Sequence, residues 1–395
     1  MYYIFDYFMS FEIMTSEKLI NDFIKPYNSI HLGQPCKRGC VFCFIRQLGP
    51  KVQKPLYCKN FISKENIHEF FEHIDFDKRI SFSTDDVFDY PEIEIIIEKI
   101  YDELIKRKGK GNIELISTCG SFTRNQIRVL KKIKDKSTVR ISLISFDSNF
   151  KNKIMKGGWT KEHTQMIKKL IKEKLCDSVA IWFFGSVDAL RKEFEIFDSL
   201  IQDYKDETIA LDLSYPSVTR YANSYTKQLM DEIDKNLDVA VRLFFDRYSN
   251  HRTVMPTLST MIDLFKYLKT GNEKQKFLID DFNIRIKSAM DYLKQENMKY
   301  TDTGFITTAS CIRLAKKNFS NLNWIEAKQN YWGGNIVVCD LLTLEDIKDA
   351  IINNKKYKYY VISKGIFSES CQKKDVQGIG LADFMKENSF EILSF

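Results

Sequence analysis

Short runs of β-branched and aromatic residues alternate along this chain with longer charged runs whose apolar residues recur every three or four positions. The short runs are "SIHLG" (29 to 33), "RISFS" (79 to 83), "NIELIST" (112 to 118), "VRISLIS" (139 to 145), "SVAIWFFG" (178 to 185) and "TIALDLSY" (208 to 215). The long runs include "PEIEIIIEKIYDELIKRKGKG", "TKEHTQMIKKLIKEKL" and "SVDALRKEFEIFDSLIQDY". Such alternation, at roughly 30 to 35 residues per unit, predicts a parallel sheet with a helix between successive strands. Right-handed crossovers then bring every βα loop to one face. The expected fold is α/β, a partial (β/α)6 TIM-like barrel; a doubly wound open sheet is the structural alternative, since spacing does not separate the two.

After about Asp246 the pattern turns mostly helical through Tyr300, and a second β-containing stretch follows with "TGFITTAS", "NIVVCDLLTLEDIKDAI" and "YKYYVISKGIF". The expected organisation is an N-terminal extension over 1–27 and a partial barrel over 28–246. A helical linker and C-terminal α+β domain over 247–395 would cap the barrel and help select substrate.

The 395 residues, 44% hydrophobic and 13% aromatic, suffice for a buried core and argue against disorder. No apolar run reaches the roughly 18 residues of a membrane span, and the N-terminus lacks a basic leader and a small-residue cleavage site. Nine cysteines without an export signal fit a reducing compartment, so a cytoplasmic protein is expected. The net charge of +7 comes from 60 basic and 53 acidic side chains with both signs interspersed, which permits anionic partners without indicating nucleic acid. The basic run "KKIKDKSTVR" (131 to 140) reads as a solvated helix end. The five histidines form no local constellation.

Cys36, Cys40 and Cys43 directly follow the first strand candidate, and Gly39 between them permits a sharp turn. Three thiols on one loop can hold zinc or an iron–sulfur cluster, or can be structural. A structural zinc site takes four protein ligands, commonly as two separated pairs, and Cys58, Cys119, Cys176, Cys311, Cys339 and Cys371 are isolated. Three thiolates on a cubane cluster leave one iron open to an outside ligand, which is a catalytic arrangement.

This spacing, with Phe42 immediately before the last cysteine and βα units behind it, resembles the signature of the radical S-adenosylmethionine (radical SAM) enzymes. The resemblance implies a 4Fe–4S cluster on Cys36, Cys40 and Cys43 whose open iron chelates SAM, with Phe42 among the cofactor-binding residues. It implies reductive cleavage of SAM to a 5'-deoxyadenosyl radical, hydrogen abstraction from a substrate carbon, and a reductase such as flavodoxin or ferredoxin. In that family the second strand usually ends in a glycine-rich turn that binds the SAM amino group. Here "FSTDDVFDYPE" offers Ser83, Thr84, Asp85 and Asp86 as oxygen acceptors instead, similar to spore photoproduct lyases; the same residues also suit an N-cap cluster. Ser142, Ser145 and Asp147 in "ISLISFDS" suit ribose hydroxyls or the SAM carboxylate. Gly185 in "AIWFFGSVDA" lets a backbone edge meet adenine, while core packing explains Trp182 and Phe183.

The longer run "CKRGCVFCFIRQLGPKVQKPLYCK" resembles one radical SAM subgroup, through Phe44, Ile45, Gln47, Leu48, Leu56, Tyr57 and Lys59. That subgroup carries a C-terminal domain of unknown function, to which "NYWGGNIVVCDLLTLEDIKDAI" is similar, and "SYPSVTRYAN" resembles its segment after the sixth strand. Two departures stand out: residues 1–27 are too few for the subgroup's PDZ-like domain, and "NFISKEN" replaces its acidic triplet. Cys119 in "STCGSF", at the end of the third strand, could quench a substrate radical, although an isolated strand-end cysteine is commonly a small buried hydrophobe. Tyr215, Arg220 and Tyr221 would lie at the barrel mouth and could meet an anionic substrate. Cys311, Cys339 and Cys371 leave an auxiliary cluster open. A small or anionic metabolite is the favoured substrate, with a ribosomal peptide or nucleic acid as the alternative, and a non-catalytic iron–sulfur or zinc sensor as the alternative from another class.

Overall fold

In the computed structural model the described residues are 19–25, 28–32, 39–43, 47, 62–83, 86–118, 122–155, 159–204, 207–258, 273–333, 342–354, 356–367, 374–375 and 377–395. Seven parallel strands form one sheet in sequential order: β1 (Ser29–His31), β2 (Ile80–Ser83), β3 (Ile113–Ser117), β4 (Ser137–Ile144), β5 (Ser178–Trp182), β6 (Ile209–Ser214) and β7 (Val254–Leu258). Sequential order with every neighbour parallel is the topology of a barrel wall, because a doubly wound sheet reverses its order partway. The six expected strands are all present. The seventh, β7, lies past residue 246 and extends the expected (β/α)6 wall by one strand, its Pro256 opposite Leu211.

The helices between these strands are α1 (Ile93–Lys106), α2 (Arg124–Ile133), α3 (Ser148–Ile154), α4 (Lys161–Lys172), α5 (Val187–Ile201) and α6 (Ser224–Tyr248). Their ends follow local chemistry. Thr123 and Gln126 close a capping box at the start of α2, and Thr160 and His163 do the same for α4. In α1 the buried positions Ile93, Ile96, Ile97, Ile100 and Leu104 make one stripe. The chain leaves that helix past Gly109, where a Cβ would sit 2.4 Å from the Phe76 carbonyl oxygen.

Within the strands, alternate residues divide between two faces. Leu115, Ile141, Val179 and Leu211 belong to the set buried in the main core. The register Ile116–Arg140–Ser178–Ala210–Met255 runs across the other face from β3 to β7, with Ile116 and Met255 at 42% and 39% exposure. The concave side of the wall is therefore accessible and partly polar. Glu114 is buried there and takes both Arg140 at 3.1 Å and Arg79 at 3.5 Å.

After α7 (Glu273–Gln295) the C-terminal unit carries β8 (Thr303–Thr307), α8 (Ala309–Asn318), β9 (Asn323–Glu326), α9 (Leu344–Ile352), β10 (Tyr359–Ile362), α10 (Leu381–Asn388) and β11 (Ile392–Ser394). Its helices and strands build a four-stranded parallel sheet in the order β11-β10-β8-β9, covered on both faces. Ile306, Tyr360 and Ile362 pack on one side of it, and Phe305 and Val361 on the other.

Candidate active site

The cysteine loop lies at the carboxyl end of β1. Gly39 takes φ +60°, the left-handed turn for which glycine is suited, and the Cys43 N–H donates to the Cys40 carbonyl at 3.2 Å. This turn has Cys40 and Cys43, both half-buried, at its two ends. Cys36 lies outside the described residues. Around the turn, Val41 donates to the Ile154 carbonyl at the end of α3, and its own carbonyl accepts from Thr226 Oγ1 (2.7 Å) and Asn223 Nδ2 (3.3 Å) at the start of α6.

Gln47, 2% exposed, locks the loop from the other side. Its Nε2 donates to the carbonyls of Phe42 (2.9 Å), Cys43 (3.3 Å) and Ser217 (3.0 Å), while its Oε1 accepts the Thr219 N–H (2.9 Å). Two segments that the sequence singles out separately, "FIRQL" and "SYPSVTRYAN", are thus joined by one buried amide. Phe42 is buried between Trp182 and Phe184, with ring centroids 5.0 and 5.3 Å away, so the loop rests on the end of β5. Thiolates on a fixed turn backed by aromatic rings are the donor chemistry that an iron–sulfur cluster takes, and the described residues fit that group.

The other candidate residues separate by role. Ser83 ends β2, opposite His31, while Thr84, Asp85 and Cys119 lie outside the described residues. Asp86 is buried and accepts from Phe88 N, Ser117 Oγ, Thr118 N and Thr118 Oγ1, so it caps the turn over 87–89 and ties β2 to β3. Ser142 stands on the concave face and accepts the Trp182 indole N–H at 3.2 Å. Beside it the β4 register shifts, and Ile144 takes φ +69°, a costly conformation for a β-branched residue.

Ser145 is buried, and its hydroxyl donates to Glu193 of α5, which also accepts the Phe146 N–H at 2.7 Å. Asp147 caps α3 through the N–H groups of Asn149 (2.8 Å) and Phe150 (3.2 Å). Gly185, at φ +94°, packs where a Cβ would come 2.9 Å from Glu232 Cβ, and its carbonyl accepts from Asn236 Nδ2. That packing against α6 accounts for the glycine.

Tyr215 is buried at the end of β6. In the loop that follows, the exposed Arg220 donates to the Tyr221 hydroxyl at 2.6 Å. Among the described residues no carboxylate pairs with it.

Glu193 was not expected from sequence. Burial pushes its carboxyl above the ordinary glutamate range, against the opposing effect of the Ser145 and Phe146 hydrogen bonds. A signal for it exists, because it interrupts the apolar stripe of Leu190, Phe194 and Phe197 on α5, where a charge is out of place unless it has partners. Of the C-terminal cysteines, Cys311 is buried in α8, and Cys339 and Cys371 lie outside the described residues. No helix among the described residues is long and apolar enough to cross a membrane.

Residues 30–185 match the family model "Radical SAM superfamily". No curated protein matches the chain. Among solved structures, hexahistidine-tagged anSMEcpe with bound AdoMet is similar at 14% identity and TM-score 0.43, over 62% of this chain and 64% of that one. Native anSMEcpe with bound AdoMet is similar at 12% identity and TM-score 0.42, over 61% and 65%. A spore photoproduct lyase mutant is similar at 12% identity and TM-score 0.39, over 58% and 75%. The chain thus spans less than two thirds of either anSMEcpe chain. The matched region, residues 30–185, holds the cysteine loop at the end of the first strand, and the family it is similar to is one of enzymes whose cofactors are a 4Fe–4S cluster and S-adenosylmethionine.

Proposed function

We propose that the chain cleaves SAM reductively and uses the resulting radical on a small or anionic metabolite. The observation that carries this is the cysteine turn, fixed by Gln47 and Val41 at the carboxyl end of β1 within the matched domain. Cys36, Cys40 and Cys43 would hold the cluster, with Phe42 packed behind it. A bound cluster and SAM would supply, with one electron from a flavodoxin- or ferredoxin-type reductase, reductive cleavage of SAM to methionine and a 5'-deoxyadenosyl group able to take a hydrogen atom from a substrate carbon.

The protein's own work is binding, orientation and exclusion of water. Ser83, Thr84 and Asp85 would receive the SAM amino group at the end of β2. Ser142 presents its hydroxyl on the concave face near Trp182, where a ribose would lie, and the Ser145 to Asp147 segment, shaped by Glu193, would bound that pocket. Gly185 would bring the β5 end near adenine, and Cys119 would stand at the end of β3 as a hydrogen donor. Tyr215, Arg220 and Tyr221 would meet the substrate at the mouth, and the Arg220 guanidinium, without a carboxylate partner among the described residues, is what supports an anionic one.

The test is anaerobic reconstitution with iron and sulfide, then SAM and dithionite, followed by assay for 5'-deoxyadenosine beside Cys36→Ala, Cys40→Ala and Cys43→Ala. Product only with all three cysteines intact supports the reading. A fully loaded cluster that yields none overturns it in favour of a sensing protein.

A further inference from the structure

The β6–α6 loop of the barrel touches the C-terminal unit at the turn over residues 331–333, which follows β9. The Arg220 N–H donates to the Trp332 carbonyl at 2.6 Å. Gly333 takes φ +61°, which favours glycine, and a Cβ there would lie a tight 3.1 Å from Arg220 Cβ. Tyr331 and Tyr221 pack edge to face, 6.2 Å between centroids. The Arg220 guanidinium carbon lies 4.8 Å from the Tyr221 ring centroid and 5.7 Å from that of Tyr331. Both separations are within cation–π range.

Two groups at this junction lack the partners their chemistry calls for. A guanidinium has five N–H donors, and Arg220 uses its side chain only on the Tyr221 hydroxyl, with no carboxylate reaching it among the described residues. Tyr331 is 4% exposed, yet its hydroxyl makes no hydrogen bond with any described residue. Leaving a buried hydroxyl unpaired costs about 1–3 kcal/mol, so such a group calls for an explanation. Asp346 accepts the Tyr331 N–H at 3.1 Å, and it is also engaged by the N–H and hydroxyl of Thr343. A cation without an anion and a hydroxyl without an acceptor stand at the same junction, and an oxyanion is the chemical partner of each.

We propose that Arg220 of the barrel and Tyr331 of the C-terminal unit form a two-domain receptor for an oxyanion, the carboxylate or phosphate by which the substrate is anchored. This rests on the reading above that the mouth of the barrel is the substrate's entrance. Thr219, next to Arg220, is hydrogen-bonded to Gln47, which holds the Cys43 carbonyl, so the anchored acid lies immediately beside the cysteine loop. The receptor is incomplete without the C-terminal unit, which gives that unit a part in substrate choice.

Isothermal titration of the full chain with orthophosphate, and separately with malonate, tests this without cluster, SAM or reductant. Binding of either anion is expected, and which one binds tells phosphate from carboxylate. Arg220→Gln should raise its Kd by about tenfold or more, as expected for the loss of charged hydrogen bonds. If that variant does not fold, Arg220→Lys, which keeps the charge and loses the fork, should raise it about threefold or more. Tyr331→Phe should weaken binding several-fold while its Tm stays level or rises, because the hydroxyl removed was unpaired. Arg242→Gln, at an exposed arginine elsewhere on α6, should change nothing. Absence of binding by both anions overturns the receptor. So does an equal loss in Arg242→Gln, or a Tyr331→Phe that melts lower and binds as before. Missing 5'-deoxyadenosine in the earlier assay leaves the receptor standing, whereas missing anion binding with 5'-deoxyadenosine formed removes the receptor alone.

Discussion

Thr219 is bound to Gln47 twice: its N–H donates to the side-chain oxygen at 2.9 Å and its hydroxyl to the backbone carbonyl at 2.8 Å. Both residues are almost wholly buried. Replacing Gln47 by Leu keeps the volume but strands the Thr219 N–H and the carbonyls of Phe42 and Ser217. At about 1 kcal/mol or more for each buried group left unpaired, the loss should total about 2–4 kcal/mol in urea denaturation. Iron retained per chain after reconstitution should fall in parallel. A Leu variant as stable and as well loaded as the parent would remove Gln47 from any part in holding the loop.

Adjacent aspartates should part company. Asp86→Ala leaves Ser117, Thr118 and the Phe88 N–H without their shared acceptor, so a loss of about 2–4 kcal/mol is expected on thermal melting. Asp85→Ala should melt like the parent and bind SAM more weakly in equilibrium dialysis. Unchanged SAM affinity would take Asp85 out of the proposed cofactor site.

Glu193 should make stability depend on pH in an identifiable direction. Burial raises its folded pKa above the unfolded one, so between the two values the folded chain binds more protons. Stability therefore falls as pH rises through that window, which begins at the ordinary glutamate pKa. Glu193→Gln lacks this ionisation and strands one of the Ser145 and Phe146 donors, at a cost of about 1–2 kcal/mol. Its deficit against the parent should be larger at acid pH and should shrink across the window. Urea midpoints measured at several pH values would show this, and a constant deficit would contradict it.

Gly185→Ala adds a Cβ at φ +94° and 2.9 Å from Glu232 Cβ. A destabilisation of about 1–3 kcal/mol is expected, from backbone strain and displacement of α6. Differential scanning calorimetry would register it, and a neutral result would mean that α6 moves away freely.

The parts of this molecule legible in its sequence are the local ones. Six barrel strands announced themselves because runs such as "NIELIST" are β-branched and bounded by polar or glycine-containing segments. β7 did not, because Pro256 interrupts its pattern. Proline is tolerated there because among the described residues β7 pairs only with β6, and an edge strand need not donate on both sides. Three cysteines within eight positions are likewise a local signal. The Ser145–Glu193 pair joins residues 48 positions apart, and Arg220 meets Tyr331 only once two separate sheets have formed. Neither spacing leaves a periodic trace, so a tertiary contact of this kind is visible only in the fold.

The reach of Gln47 also sets a clock. Its partners Ser217 and Thr219 lie 170 and 172 positions further along the chain, and Val41 awaits Thr226, 185 positions on. At the ~5–20 residues per second of protein synthesis, the cysteines emerge roughly 10 to 35 seconds before the residues that clamp them. A ribosome-bound chain that ends short of Ser217 has the thiols without the clamp. The clamp on the turn therefore exists only once the chain has been made through Thr226.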